Sequence, residues 1–349
     1  MQDLLLLSKD IPIAKIINGI AQPIIPERLP LYFQHNKDAK FWLESRAVDR
    51  HRTNSRLLKK ALRLENKDDL TAVLAVNAAT ITDNYWVKPL SDHNLSYGDV
   101  RFKINLFDNL ALTGSVNSFD QQPSRTPELT NTGSFEKCWR MENGHWWMYK
   151  SGKQEELYSE LLACRIGRLL KISMAEYEPA GDFIKSRDFT DNASVDFEPA
   201  AGIIGDEFNY ITIYNALNAI DADIAAQYVL MCYFDGLIFN MDRHEYNFGI
   251  LRNSDTGRIL TLAPLFDHNI ALIARGYPDR EPKDMLITDF AELIRHIGKP
   301  FHIRKLTESE LINAALSIPY ELPVTDKITT PKVFTAQYLQ ARQKALLDF

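Results

Sequence analysis

Two apolar segments, Phe248–Arg252 and Arg258–Ala263, flank the turn-forming run Asn253–Gly257. That pattern predicts an antiparallel hairpin. A hairpin brings its two outer ends together. With the turn centred near Asp255, Asn247 lies beside Ala263, and Asp267 follows a few residues on. Asp242 stands five residues before Asn247. Asp242, Asn247 and Asp267 are therefore expected at the open end of one hairpin.

Two carboxylates and an amide oxygen are hard oxygen ligands, and they suit Mg²⁺ with substrate phosphates. Phosphoryl transfer needs this set: one Asp accepts the proton of the attacking hydroxyl, and an Asn and a second Asp hold metal. On that reading Asp242 is the base, and Asn247 and Asp267 are the ligands. The D-x4-N spacing alone would describe an Asp and an Asn capping a tight turn. The hairpin and the apolar-flanked Asp267 in LAPLFD tip the balance to chemistry.

Further residues fit upstream. Asn143-Gly144 is a strong turn signal between Trp139–Met141 and Trp146–Met148. Lys150 ends the second strand, where an ammonium can reach nucleotide phosphates. The helix expected over Glu155–Leu170 carries Glu160 on the side of Leu157 and Cys164. A carboxylate there calls for a cation, and Lys150 is a candidate; Glu155 and Glu156 are rival partners for that lysine. Thr132-Gly133-Ser134 precedes the lysine strand, and its backbone N–H groups can lie over phosphates.

The remaining chain is ordinary for a folded protein: 349 residues, 45% hydrophobic, 25% charged. That length suits two domains or one two-lobed domain. The net charge of −6 disfavours direct binding to nucleic acid through bulk positive charge. No apolar run is long enough to span a membrane. Cys138, Cys164 and Cys232 have neither zinc-ligand spacing nor a disulfide framework, which suits a reducing, cytoplasmic setting. Short strands are expected within Leu4–Ile20, and helices over Asn54–Leu64, Asp69–Val76, Asp221–Phe239 and from Lys283 to Phe349. The polar run 115–134 reads as a linker.

The runs GSFEKCWR, WWMYK, ELYSELLACRIGRLL, DRHEYNFGIL and LAPLFD, in that order over Gly133 to Asn269, resemble the HipA-like kinases. That group includes bacterial toxin kinases and the smaller CtkA-type proteins. The D-x-H-x-x-N-F form is shared with the distantly related phosphatidylinositol 3- and 4-kinases. ATITDNYWVKP, with FWLESRAVDRHR before it, is similar to a segment of HipA-like proteins of another branch. Within the D-to-N interval Arg243, Glu245 and Tyr246 replace the small or polar residues usual in the toxin branch.

The resemblance implies an α+β, two-lobed protein-kinase-like fold with a mostly helical C-terminal lobe. Residues 1–128 are an additional N-terminal region and 129–349 the kinase domain, divided into a small lobe, 129–190, and a helical lobe, 191–349. It implies ATP- and Mg²⁺-dependent phosphorylation of serine or threonine on a protein substrate. Lys150 matches the ATP-phosphate position, Asp242 the base, and Asn247 and Asp267 the metal ligands. The adenine-binding linker is expected near Ile184–Phe189, and His244 and His268 as packing groups. Toxin kinases of this kind can phosphorylate a serine in their own phosphate loop, here Ser134, with Thr130 and Thr132 as rivals. A DNA-binding antitoxin-like partner is the expected protein contact. Two other activities remain open: a lipid or small-molecule kinase, and a nucleotide-binding interaction module.

Overall fold

The computed structural model describes residues 1–120, 125–278 and 284–348. Lys283 and Phe349, the expected limits of the C-terminal helices, and residues 121–124 of the expected linker lie outside them. The chain is α+β and divides into two compact units interleaved in sequence. One comprises Met1–Ser151, Lys185–Glu198 and Ile250–Leu260; the other comprises Gly152–Ile184, Pro199–Gly249 and Thr261–Phe349.

The first unit is built on an antiparallel sheet ordered Ile20–Pro23, Ile11–Ile17, Leu4–Ser8, Tyr85–Pro89. Its central strand reads Leu-Leu-Leu-Leu-Ser because both faces are covered. Leu4 and Leu6 join Tyr85 and Val87 in one core, whereas Leu7 joins Trp86 in another. The second core also takes in Phe107, Leu110, Leu129, Trp139 and Trp146. Residues on both sides of position 128 therefore share one hydrophobic core.

The hairpin Lys137–Glu142 with His145–Lys150 forms as expected, Asn143 and Gly144 both having positive φ. The strands Val195–Pro199, Gly249–Asn253 and Ile259–Leu262 form a three-stranded sheet. The first of these strands was not apparent in the sequence.

The polar run ahead of Gly133 departs from a solvated linker. Thr126 and Glu128 are fully enclosed, and Leu129 to Asn131 are buried. The polarity serves internal hydrogen bonds. The Glu128 carboxylate accepts the Trp139 N–H at 2.7 Å and the side-chain amides of Asn105 at 2.8 Å and Asn131 at 2.9 Å.

The second unit is mostly helical. Helix Ala222–Ile238 is buried on nearly every side and packs against Tyr210–Ile220, Met285–Ile297 and Pro331–Leu347. Asp221 caps it by accepting the N–H groups of Asp223 and Ile224. No helix among the described residues is long and apolar enough to cross a membrane. The three cysteines are buried and unbridged.

Candidate active site

In the second unit the site grows from the end of helix Ala222–Ile238. Phe239 leaves it in the left-handed conformation, φ 54°, and its N–H bonds back to the Asp235 carbonyl. The chain stays tied to that last turn. Asn240 donates its side-chain amide to Asp235 Oδ1 at 2.8 Å, and Asp242 N–H reaches Asn240 Oδ1 at 3.3 Å. Arg243 then folds inward, Nε to Asp235 Oδ2 at 2.8 Å and Nη2 to Asp235 Oδ1 at 2.9 Å.

The same guanidinium joins the two ends of the expected hairpin. Arg243 Nη1 donates to the carbonyls of Asn247 and Phe266, the latter at 2.9 Å. Asn247 and the residue before Asp267 therefore share one cation. The register differs slightly from the expected one: Ala263 N–H pairs with Gly249 O at 2.8 Å rather than lying beside Asn247. The turn closes through Asn253 N–H to Arg258 O, which centres it between Asp255 and Thr256.

Asn247 is buried, and its Nδ2 donates to the Asp242 carbonyl at 3.0 Å. A carbonyl only accepts, so the amide nitrogen faces it and Oδ1 is turned away. Among the described residues that Oδ1 takes no hydrogen bond. Asp267 has φ 62°, an uncommon conformation that Asp tolerates better than most residues. The backbone on either side of it is clamped. Leu265 N–H bonds Ser173 O, Leu265 O accepts Ala175 N–H, and His268 N–H donates to Glu160 Oε1 at 2.9 Å. Glu160 is fully buried, so the helix Gln154–Leu169 helps to place Asp267.

The Asp242 carboxyl is half-buried and titrates above the ordinary aspartate range. Burial is the main cause; the Asp267 charge adds to it, and His244, Arg275 and Arg243 oppose it. Such a shift moves a carboxylate towards the range useful to a general base. No group of three or more His, Cys, Asp or Glu among the described residues is arranged to hold a metal. Mg²⁺ does not require one, since it takes one or two carboxylates together with phosphate oxygens and waters. The Asp267 carboxylate and the Oδ1 of Asn247 are oxygen donors of that kind. His268 is buried against Phe234, and His244 accepts the Tyr246 N–H.

In the first unit, Lys150 is buried and lies directly across the hairpin from Lys137, both at the end next to Gly133. Gly133 has φ 95°, and the Lys137 ammonium lies where a side chain at 133 would begin. Ser134 and Thr132 are exposed. The carbonyls of Asn131, Thr132 and Gly133 accept from the Arg52 guanidinium at 2.6, 3.3 and 3.1 Å, and Lys137 O at 3.4 Å. Among the described residues the N–H groups of Thr132, Gly133 and Ser134 donate to nothing. Near the expected adenine linker, Asp188 N–H bonds Trp146 O at 2.9 Å.

Asp242, Asn247, Asp267 and Glu160 thus gather in the second unit, whereas Lys150, Gly133 and Ser134 belong to the first. Sequence reasoning missed Asp235, Asn240, Lys137 and Arg52. Asp235 carried a signal, as an acid inside an otherwise apolar helix. Arg52 carried none, being one of several basic residues in RAVDRHRTNSR.

No known family profile matches the sequence, and no curated protein is similar to it. Solved structures are similar. HipA of Shewanella oneidensis MR-1, determined with HipB and its operator DNA, matches with a TM-score of 0.60 at 12% identity, covering 99% of this chain and 98% of that one. The proinflammatory kinase CtkA of Helicobacter pylori matches with a TM-score of 0.43 at 16% identity, over 62% of this chain and 90% of that one. The likeness to HipA extends over nearly the whole chain and is one of fold.

Proposed function

We propose that this chain is a serine/threonine protein kinase that transfers the γ-phosphoryl group of ATP with Mg²⁺. The observation that carries this reading is the loop from Asp242 to Asn247. It holds a partly buried carboxylate with a raised pKa and an amide oxygen turned away from the Asp242 carbonyl, and Arg243 ties it to the segment bearing Asp267.

Asp242 is the base that accepts the acceptor hydroxyl proton. Asn247 Oδ1 and the Asp267 carboxylate are the Mg²⁺ ligands, and Mg²⁺ when bound neutralises charge on the phosphates. Glu160 and Arg243 fix the backbone on either side of Asp267 and so set its direction. Lys150 and Lys137 are phosphate-binding cations, with Gly133 and Ser134 in the loop beside them. The fold of HipA supports the kinase reading, and the solved HipA complex supports a DNA-binding, antitoxin-like partner. With a net charge of −6 any DNA contact would come through that partner. The unbridged cysteines are in keeping with a cytoplasmic protein.

The test is incubation of the pure protein with labelled ATP and Mg²⁺, alone and with a cell extract depleted of its own kinases, followed by mass spectrometry of the phosphorylated peptides. Asp242→Asn should abolish transfer and leave ATP binding near that of the wild type. Transfer within a few-fold of wild type in that variant would remove Asp242 as the base.

A further inference from the structure

Arg52 lies in the region ahead of the kinase-like motifs, is almost wholly buried and spends its guanidinium on main-chain carbonyls. Three of them, Asn131, Thr132 and Gly133, are consecutive. A trans peptide is planar, with its C=O and its N–H on opposite sides. Drawing three successive carbonyls to one cation therefore turns the next three N–H groups, those of Thr132, Gly133 and Ser134, to the other side. These are the N–H groups that donate to nothing among the described residues. Successive N–H groups facing one way form an anion-binding concavity, and the left-handed Gly133 permits the curvature.

The loop is anchored at both ends and not between them. Asn131 N–H and Nδ2 bond Glu128, and Glu136 O accepts Ser151 N–H while its Oε1 accepts Asn54 N–H. Between those anchors Arg52 holds the carbonyls of Thr132 and Gly133. Glu128, at 3.9 Å, balances its charge from within the same core.

We propose that Arg52 is a positioning residue for nucleotide binding: it holds residues 131–133 from behind, so that the amides of Thr132, Gly133 and Ser134 face the phosphates of a nucleoside polyphosphate. This rests on the kinase reading above, and it gives the region before residue 129 a part in the reaction.

The test compares wild type with Arg52→Lys. Lysine keeps the charge beside Glu128, but its ammonium is a point charge and does not span the four carbonyls. The expected result is a KM for ATP, and a Kd for ADP by calorimetry, raised by about tenfold or more, as when charge-assisted hydrogen bonds are lost. At saturating ATP kcat should change far less, and thermal unfolding should stay cooperative. Unchanged KM and Kd in a folded Arg52→Lys protein would overturn the role of Arg52 and leave the kinase reading standing. If wild type binds neither ATP nor ADP, the kinase reading falls first. Should Arg52→Lys fail to fold, hydrogen exchange on wild type decides. ADP should slow exchange at Thr132, Gly133 and Ser134, and unchanged exchange at all three in ADP-saturated protein would overturn the proposal.

Discussion

Arg243 and Asp235 form a two-pronged ion pair, with Nε to Oδ2 at 2.8 Å and Nη2 to Oδ1 at 2.9 Å, and both side chains are buried. Bidentate pairing fixes the plane of the guanidinium. The remaining nitrogen, Nη1, is then aimed at the carbonyls of Asn247 and Phe266. One helical carboxylate thereby sets the backbone at two of the residues proposed to handle phosphate.

Asp235→Asn should accordingly be costly twice over. It leaves a buried cation without its counter-charge, which typically destabilises by about 3–5 kcal/mol. It also frees Arg243 to turn, so phosphotransfer should fall even in the folded fraction. Arg243→Lys keeps a charge for Asp235 but cannot reach both carbonyls. Its folding stability should suffer less than its activity. Urea unfolding and phosphotransfer on the same samples check this; full activity in folded Arg243→Lys would mean the bridge does not matter to the site.

Asp267 can be tested without disturbing its backbone. Its φ is 62°, which alanine resists and asparagine accepts, so Asp267→Asn is the cleaner variant. It removes the charge that would face Mg²⁺. ADP affinity measured with Mg²⁺ should drop by about tenfold or more, on the scale of a lost charge-assisted contact. Affinity in excess chelator should barely move. Equal losses in both conditions would point to a damaged fold, and no loss in either would remove Asp267 as a ligand.

The hairpin and the gathering of acidic and amide residues at its open end were legible because they obey local rules. Alternating apolar residues, a turn run and fixed offsets gave Asp242, Asn247 and Asp267 a common location, and the structure gathers their segments around Arg243. The start of the central helix followed the same logic, at Asp221, whose side chain caps it. Asn54 shows the limit. It sits at the start of helix Ser55–Ala61 as expected, yet its side chain turns to Ala111 O and caps nothing. Long-range partners leave no local pattern. Glu128 reads as an acid in a polar linker, and only the fold brings Arg52, Asn105 and Trp139 around it. Strand Val195–Pro199 was likewise illegible, because its register depends on distant chain: Phe197 N–H bonds Thr82 O, and Asp196 Oδ1 accepts from Asn84.

The buried acids of the first unit give it an unusual pH dependence. Burial pushes the Glu128 carboxyl up to about 7, against the pull of Arg52 and its hydrogen bonds. Burial, helped by Asp83, also takes Asp196 to about 7. Both folded-state values lie above those of the unfolded chain, so the folded protein binds more protons between about pH 4 and 7. Their contribution to stability is complete below the unfolded pKa and is lost as pH rises through about 7. Unfolding midpoints in urea should therefore fall from pH 5.5 to pH 8, unlike those of a protein held by salt-bridged carboxylates. Glu128→Gln should flatten the profile. A midpoint that rises over that interval in wild type would contradict the assignment.

On the kinase reading, Ser134 is the residue proposed for self-phosphorylation. The three candidate hydroxyls of the loop are no longer equivalent. Thr130 is buried and donates to Ala79 O at 2.6 Å, so it is closed to modification in the folded state. Thr132 and Ser134 are exposed, and Ser134 follows the left-handed Gly133. A phosphoserine carries about −1.5 to −2 charges at pH 7. Placed at 134, it would seek the donors the loop offers, the N–H groups of residues 132–134 that donate to nothing among the described residues. Those are the groups proposed to receive nucleotide phosphates, so the modified loop and ATP would compete. After incubation with ATP and Mg²⁺, phosphate should be found on Ser134 and absent from Thr130. Ser134→Asp should weaken ATP binding, and Ser134→Ala should retain it and remain active for longer in the presence of ATP. Peptide mapping that finds Ser134 unmodified in active protein, or normal ATP affinity in Ser134→Asp, would remove self-inhibition through this loop.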